Sequence, residues 1–426
     1  MNVGKRRFFF VCRLLVEVAS FAALLYFLFF PLREQILTAK NVGNTPSARA
    51  DAGSEADAIN SAMHYYKLGF LANQGLPDRG HPAGRLYLEP DDTPSFKAVY
   101  THYPPGPNWL TGLAMMVFGP KQIPLYRSFG LSFSVLALFM AYFLLRSVVG
   151  CFLSSAAVIV LLQIPLATEM MHGLYGHSYA LALAILQMSF VFNRLETREN
   201  LTLSDLFTMS LLSFLQGWMS FDWAFVSMFH GLCIVSCWGN SSRRKNLLRV
   251  LFCSMFGFGF AHFLHFCQVW AFYGKFMSAF GDLLGAAIFR SHGEGAFAGP
   301  SGATKEVLSH YLFKLLPSQI NAKELSWIVP TSAIILVALA KLCIPRSACG
   351  LRSPRLFESG IAAIAFGFII SIAWLVVMRN HAMQGGHMLF LPRHFIALLY
   401  SCILAGTLSI HTIATYCYQL VTRTKI

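Results

Sequence analysis

Ten long apolar runs follow one another along this chain, at 8–31, 124–146, 150–170, 177–193, 201–219, 222–238, 246–272, 326–343, 357–378 and 390–416. A helix needs about 20 apolar residues to cross a hydrocarbon layer of ~30 Å. Lipid offers backbone groups no partners, so only helices and closed barrels can span it. These runs are continuous rather than alternating, which excludes a β-barrel. Only 12% of the residues are charged and 56% are hydrophobic, where soluble domains carry about 25% charge, so a soluble globular enzyme is excluded too. The sequence predicts an all-α fold, a polytopic transmembrane helical bundle of about ten spans, with residues 1–426 forming a single integral membrane domain.

The net charge of +14 invites a nucleic-acid reading, but its distribution points to a membrane. Lys5, Arg6 and Arg7 precede the first run, Arg146 follows the second, and Arg194 with Arg198 follow the fourth. Arg243, Arg244 and Lys245 follow the sixth, Arg346, Arg352 and Arg355 the eighth, and Arg423 with Lys425 close the chain. Ten crossings with both termini cytoplasmic put every cluster on one side, as the positive-inside rule asks. The expected location is a plasma membrane of the bacterial inner-membrane type. The first run reads as an uncleaved signal-anchor, in which Arg13 and Glu17, four residues apart, can pair. The sequons at Asn200 and Asn240 fall on the cytoplasmic side and are expected to carry no glycan. None of the ten cysteines lies in a large outward segment, so no disulfide framework is expected there.

Two outward segments are too long to be mere connectors. The first, 32–123, holds Asp51, Glu55, Asp57, Asp78, Glu89, Asp91 and Asp92, and includes a short apolar stretch at 106–119 that suits a re-entrant or interfacial helix better than a crossing. The second, 273–325, reads as Gly-rich from Gly281 to Gly302 and then amphipathic, with Val307, Leu308, Tyr311, Leu312, Leu315 and Leu316 at helical spacing, as in a helix lying in the interface. A third outward turn, Arg379 to His394, packs three histidines and two arginines into its sixteen residues. Carboxylates thus gather after the first span and cationic groups before the last, at one membrane face. That division suits a reaction needing a base on one side and a stabilised anionic leaving group on the other. No P-loop, HExxH or GxSxG motif is present, and nothing indicates a nucleotide site.

The segment Tyr100–Gly119, YTHYPPGPNWLTGLAMMVFG, followed by Leu125–Gly150, resembles the start of GT-C-type membrane glycosyltransferases, the group of the protein O-mannosyltransferases and the lipid A aminoarabinose transferase. His102, Pro104, Pro105, Phe118, Gly119, Arg127, Arg146 and Gly150 stand at matching spacings, and the likeness covers roughly residues 50–195, with LPRHFIALLYSCIL at Leu391–Leu404 as a second match. The resemblance implies membrane helices around an extracytoplasmic cavity, a polyprenyl-phosphate sugar donor, and a catalytic carboxylate in the first outer loop. Asp57 fits that carboxylate, in the stretch Ser54–Gly75. An ungapped alternative puts Ser54 at the position of the acid and makes Glu55 the surviving member of an Asp-Glu pair. The turn after the third span, where many members carry a second Asp, here offers Glu169, His172 and His177. This weakens the case for a carboxylate-bound divalent metal, and these three residues could instead bind zinc or serve as hydrogen-bonded polar groups at a helix end, the default; no cofactor is firmly implied and a divalent metal is left open.

For substrate contact the candidates are His102 and Tyr103, aimed by the rigid Pro104-Pro105 pair, and Arg290, His387, Arg393 and His394 as donors to a phosphate. Arg393 offers a planar, permanently charged fork, and the histidines a donor or a proton. The expected function is transfer of a sugar from a polyprenyl-phosphate donor to a glycan, lipid or protein acceptor at the outer face, with membrane lipids but no nucleic acid as partners. The alternatives are an O-antigen ligase or polymerase, which concentrates its large loop late in the chain, and a lipid-linked substrate transporter, which places more ionisable residues inside its spans.

Overall fold

The computed structural model describes residues 3–38, 46–78, 99–164, 167, 171, 174, 176–197, 200–220, 241–292, 328–343 and 395–423. Among them the chain is helical, apart from one isolated bridge between Asp78 and Val99. The helices are α1 (Val3–Thr38), α2 (Pro46–Leu68), α3 (Gly106–Phe118), α4 (Ile123–Val149), α5 (Cys151–Leu162), α6 (Gly176–Thr197), α7 (Leu203–Met219), α8 (Ser241–Tyr273), α9 (Phe276–His292), α10 (Ile328–Cys343) and α11 (Phe395–Arg423).

Eight of the ten predicted runs coincide with helices; those at 222–238 and 357–378 lie outside the described residues. Among the described residues two helical stretches, Ile123–Val149 and Leu248–Tyr273, are long and apolar enough to cross a membrane, with mean hydropathies of 2.0 and 1.6 over their most apolar windows. The apolar part of α1 runs from Leu14 to Phe29, and α5 and α10 are shorter apolar helices. The run at 106–119 forms α3, a helix of 13 residues.

The expectation that the second outward segment opens as a Gly-rich loop is corrected. Residues 276–292 form α9. Phe276, Phe280, Leu284 and Ile288 recur every fourth residue, an apolar stripe whose neighbouring side chains support the helix despite its two glycines. The amphipathic stretch at 307–316 lies outside the described residues.

Contacts fix the relative directions of the helices. Phe133 of α4 meets Tyr179 of α6 with ring centroids 5.4 Å apart, and Asn193 Nδ2 donates to the Leu144 carbonyl at 2.7 Å, so α4 and α6 run parallel with α5 returning between them. Gln187 of α6 donates to Ser213 of α7 at 2.8 Å and Arg194 meets Asp205 at 2.9 Å, making that pair antiparallel. A capping box formed by Thr202 and Asp205 begins α7. Ser210 donates to the Cys253 carbonyl at 3.0 Å while Gly217 packs on Phe258 and Ala261, so α7 and α8 are again parallel. Ser220 and Ser241 therefore lie at opposite ends of that pair, roughly 30 Å apart at 1.5 Å per helical residue.

One end of the molecule carries the first turns of α3, α4 and α6 and the last turns of α7 and α8; we call it the loop end. The other carries Arg146, Arg194 and Asp205. There Glu17 of α1 bonds Arg146 at 3.0 Å; Arg13, the short-range partner expected for Glu17, has its side chain outside the described residues. Between the two ends an apolar core joins α1, α4, α5, α6, α7 and α11, including Leu24, Leu138, Leu161, Ile185 and Leu404.

Candidate active site

The loop end is built around α2. Its residues Ala58, Ile59, Ala62 and Met63 are buried against Ala114 and Met115 of α3 and Ile123 and Tyr126 of α4. Next to this apolar contact Glu55 is fully buried and meets the equally buried Arg127 of α4 through two bonds, Nε to Oε1 at 2.7 Å and Nη2 to Oε2 at 2.9 Å. A forked guanidinium-carboxylate pair of this kind is worth keeping only intact, because removing one partner strands the other charge away from water. Asp57 follows two residues later, about 200° around the helix. It is half-buried rather than sealed, and its carbonyl accepts from Ser61 Oγ at 2.7 Å. Of the two acids singled out in the sequence, Glu55 therefore has both oxygens bonded to Arg127, and Asp57 is the one that reaches the surface.

The α3 helix starts where the Pro-Pro-Gly motif ends, and the reason for glycine there is contact rather than backbone angle. A β-carbon on Gly106 would lie 2.5 Å from the Trp218 carbonyl oxygen, and one on Gly176 would lie 2.2 Å from that of Met219. The starts of α3 and α6 are thus both pressed onto the end of α7.

The end of α2 is fastened by a turn. Tyr65 Oη and Trp109 Nε1 both donate to the Gly75 carbonyl, at 2.9 and 2.8 Å. Burial pushes the Tyr65 phenol above its ordinary range, so it stays a donor. Asn73 Nδ2 donates to His64 Nε2 at 3.1 Å, which leaves the ring proton on Nδ1, 3.9 Å from the buried Asp78. Asp78 pairs with Val99, and the Tyr100 amide donates to the Pro77 carbonyl at 2.8 Å. The chain that enters this segment is so joined to the chain that leaves it for α3.

Residues 100–103 then reach α9. Asp282 accepts from Thr101 Oγ1 with one oxygen and from His102 Nε2 with the other, the latter at 3.3 Å. From α8, His265 Nε2 donates to the Thr101 carbonyl at 2.8 Å. Tyr100 stacks on Tyr103 with centroids 5.7 Å apart and lies 5.3 Å from the His102 ring. On the adjoining side of α8 an open groove of about 530 Å³ is lined by Trp109, Phe214, Trp218, Leu264, Cys267 and Ala271, with Gln74 and Gln268 as its amide groups.

The structure thus gathers Asp57, Glu55, His102 and Tyr103 at one end of the molecule. Arg290 sits in the last turns of α9, eight residues beyond Asp282, with its side chain outside the described residues. His387, Arg393 and His394 lie outside them altogether, as do Glu169 and His172, and His177 is described only as part of the first turn of α6. Among the described residues no three His, Cys, Asp or Glu groups are arranged to hold a metal ion. Asp282 and His265 were not singled out by the sequence reading. The first was hidden by the Gly-rich reading of 281–302; for the second, a histidine four residues before Val269 within an apolar run, no local signal exists.

No protein-family model matches the chain, and no curated protein matches it. Among solved structures it is similar to the oligosaccharyltransferase of Archaeoglobus fulgidus in the apo form, with a TM-score of 0.40 and 15% identity over 97% of this chain and 52% of that one. It is similar at 0.40 and 15% to the same enzyme tethered with an acceptor peptide containing the NVT sequon, over 96% and 50% of the two chains. A third similarity is to the archaeal oligosaccharyltransferase AglB from Archaeoglobus fulgidus in complex with an inhibitory peptide and a dolichol-phosphate, at 0.41 and 14% over 97% and 52%. The chain spans about half the length of these proteins.

Proposed function

We propose that this chain is a polytopic membrane glycosyltransferase of GT-C type, which moves a sugar from a polyprenyl-phosphate donor to an acceptor at the extracytoplasmic face. The observation that carries the reading is the buried Glu55–Arg127 pair. It clamps the acid-bearing helix α2 onto α4 beside the Pro-Pro-led α3 and leaves Asp57 at the surface of the loop end. Those are the elements on which the sequence resemblance rests.

In this reading the chain crosses the membrane about ten times as one domain, with both termini cytoplasmic and the loop end outside. Asp57 accepts the proton of the acceptor hydroxyl or amine as the acceptor atom bonds to the anomeric carbon. The bond from that carbon to the phosphate oxygen breaks, and its electron pair leaves with the polyprenyl phosphate. General-base help of this kind is worth about 10²- to 10⁴-fold, and Glu55 is a positioning residue, acting through Arg127. The departing phosphate needs cations, for which Arg393 and Arg290 are the candidates, with His387 and His394 as further donors. The groove lined by Phe214, Trp218 and Leu264 suits the isoprenoid chain, its amide-bearing Gln74 and Gln268 lying toward the headgroup.

The test is a transfer assay with the purified full chain in detergent. Radiolabelled polyprenyl-phosphate mannose, glucose and aminoarabinose are supplied in turn with an extract of envelope acceptors. Transfer from one of them supports the proposal. Failure with all three, together with unaltered envelope glycans in cells lacking the protein, removes it.

A further inference from the structure

The turn that fastens the end of α2 is held in a conformation that one of its residues resists. Asn73 and Gln74 both have left-handed backbone angles, with φ of 51° and 60°, and Gly75 follows at 79°. Glycine enters this region freely and asparagine tolerates it, whereas a glutamine is strained there. At 75 glycine is required, since a β-carbon would lie 3.0 Å from both Gln268 Nε2 and the Trp109 ring. At 74 the backbone would be better served by glycine. Bonds from three helices nevertheless hold the turn. Asn73 Nδ2 donates to His64 of α2, Tyr65 of α2 and Trp109 of α3 donate to the Gly75 carbonyl, and Gln268 Nε2 of α8 donates to the Gln74 carbonyl at 3.3 Å. Strain that the surroundings enforce collects at functional sites. What it fixes here is the side chain of Gln74, which is exposed and lines the groove.

The groove of about 530 Å³ is the second, independent observation. Phe214 stacks on Trp218 with centroids 6.0 Å apart, and Trp218 meets Trp109 edge-on at 5.5 Å. Leu264, Cys267 and Ala271 add one face of α8. Among the described residues this lining carries no charged side chain, and its polar groups are the amides of Gln74 and Gln268. Trp109 both walls the groove and bonds the turn, so the two share a side chain. A lipid chain lying along α7 and α8 with its head toward the loop end brings its first polar group to Gln74. In a polyprenyl phosphate that group is the phosphate, whose oxygens accept from an amide N–H. We propose that Gln74 is a specificity-determining residue of this groove, its side-chain amide donating to a phosphate oxygen of a polyprenyl phosphate lipid whose chain fills the groove. The assignment rests on the glycosyltransferase reading for the class of lipid, and it names the residue that tells this lipid from others.

Native mass spectrometry of the full chain in detergent tests this, with undecaprenyl phosphate, undecaprenol and dioleoyl phosphatidylglycerol titrated in turn. Undecaprenyl phosphate should bind more tightly than either of the other two. In Gln74→Gly its Kd should rise about tenfold, as expected for losing one hydrogen bond to a charged group. The Kd for undecaprenol should stay the same, and the thermal unfolding midpoint should not fall, because glycine is at ease in the left-handed turn. Gln74→Glu keeps the shape but has no N–H to donate, and should weaken undecaprenyl phosphate at least as much. Equal affinity for undecaprenyl phosphate and phosphatidylglycerol overturns the proposal, as does undecaprenyl phosphate binding that either variant leaves unchanged. A clearly lower midpoint in Gln74→Gly, or equal weakening of undecaprenol, makes the side chain a structural part of the turn and overturns it too. The two proposals fail separately: selective binding that depends on Gln74, without transfer in the assay above, leaves this role standing and removes the enzyme reading. Transfer whose KM for the lipid donor is unchanged by Gln74→Gly does the reverse.

Discussion

Glu55 and Asp57 are two residues apart and differ in everything that decides a role. The first is fully buried and forked to Arg127; the second reaches the surface. Neutralising one member of the buried pair strands the other, which costs about 3–5 kcal/mol. Arg127→Met or Glu55→Gln should therefore lower the thermal unfolding midpoint of the detergent-solubilised protein clearly. The double replacement Glu55→Leu/Arg127→Met should lose less than either single change, since no lone charge remains. A double variant less stable than both singles contradicts this reading of the pair. That two acids belong to a helical stretch of the first loop was legible in the sequence, but the helix begins at Pro46, nine residues before Glu55, so they lie within it rather than at its start. Which of them is consumed was not legible, because the partner is 72 residues away and nothing local marks it.

At the scale of elements, the starts of α3 and α6 are each set by a close backbone approach. Gly106→Ala and Gly176→Ala each drive a β-carbon into a carbonyl of the α7 end, and backbone cannot swing aside as a side chain can. Both should destabilise by about 1–3 kcal/mol, the usual range for overpacking, read as a lower unfolding midpoint. Gly259→Ala, whose added carbon meets nothing within 4 Å, should be neutral or slightly stabilising, because alanine favours the helix. The same contrast shows what sequence patterning can reach. The apolar periodicity located α4 and α8, and the Pro-Pro-Gly motif marked the start of α3. The helix α9 was missed because its two glycines and the Gly-rich stretch after it read as a loop. Asp282, the carboxylate that ties α9 to Thr101 and His102, was missed with it.

Across the whole molecule, helix directions sort the chemistry. Parallel α4 with α6 and parallel α7 with α8 put Asp57, His102 and Asp282 at one end, and Arg146, Arg194 and Asp205 at the other. If the bundle crosses a membrane as proposed, a cysteine placed at Lys121 should react with an impermeant maleimide from outside intact cells. One at Ser147 or Leu203 should react only after the membrane is opened; labelling of all three from outside contradicts the topology. The charge distribution of the sequence is what predicts this sidedness, since short basic connectors follow a physical rule of insertion. Convergence of distant residues such as Thr101, His265 and Asp282 is a property of packing and has no sequence counterpart. The central claim is that the surface acid of α2 takes the acceptor proton, and the most direct measurement is the transfer rate of Asp57→Asn with a polyprenyl-phosphate sugar donor. The account predicts a fall in kcat of about 10²- to 10⁴-fold with an unchanged unfolding midpoint; full activity in that variant, or loss of activity only with Glu55→Gln, contradicts it.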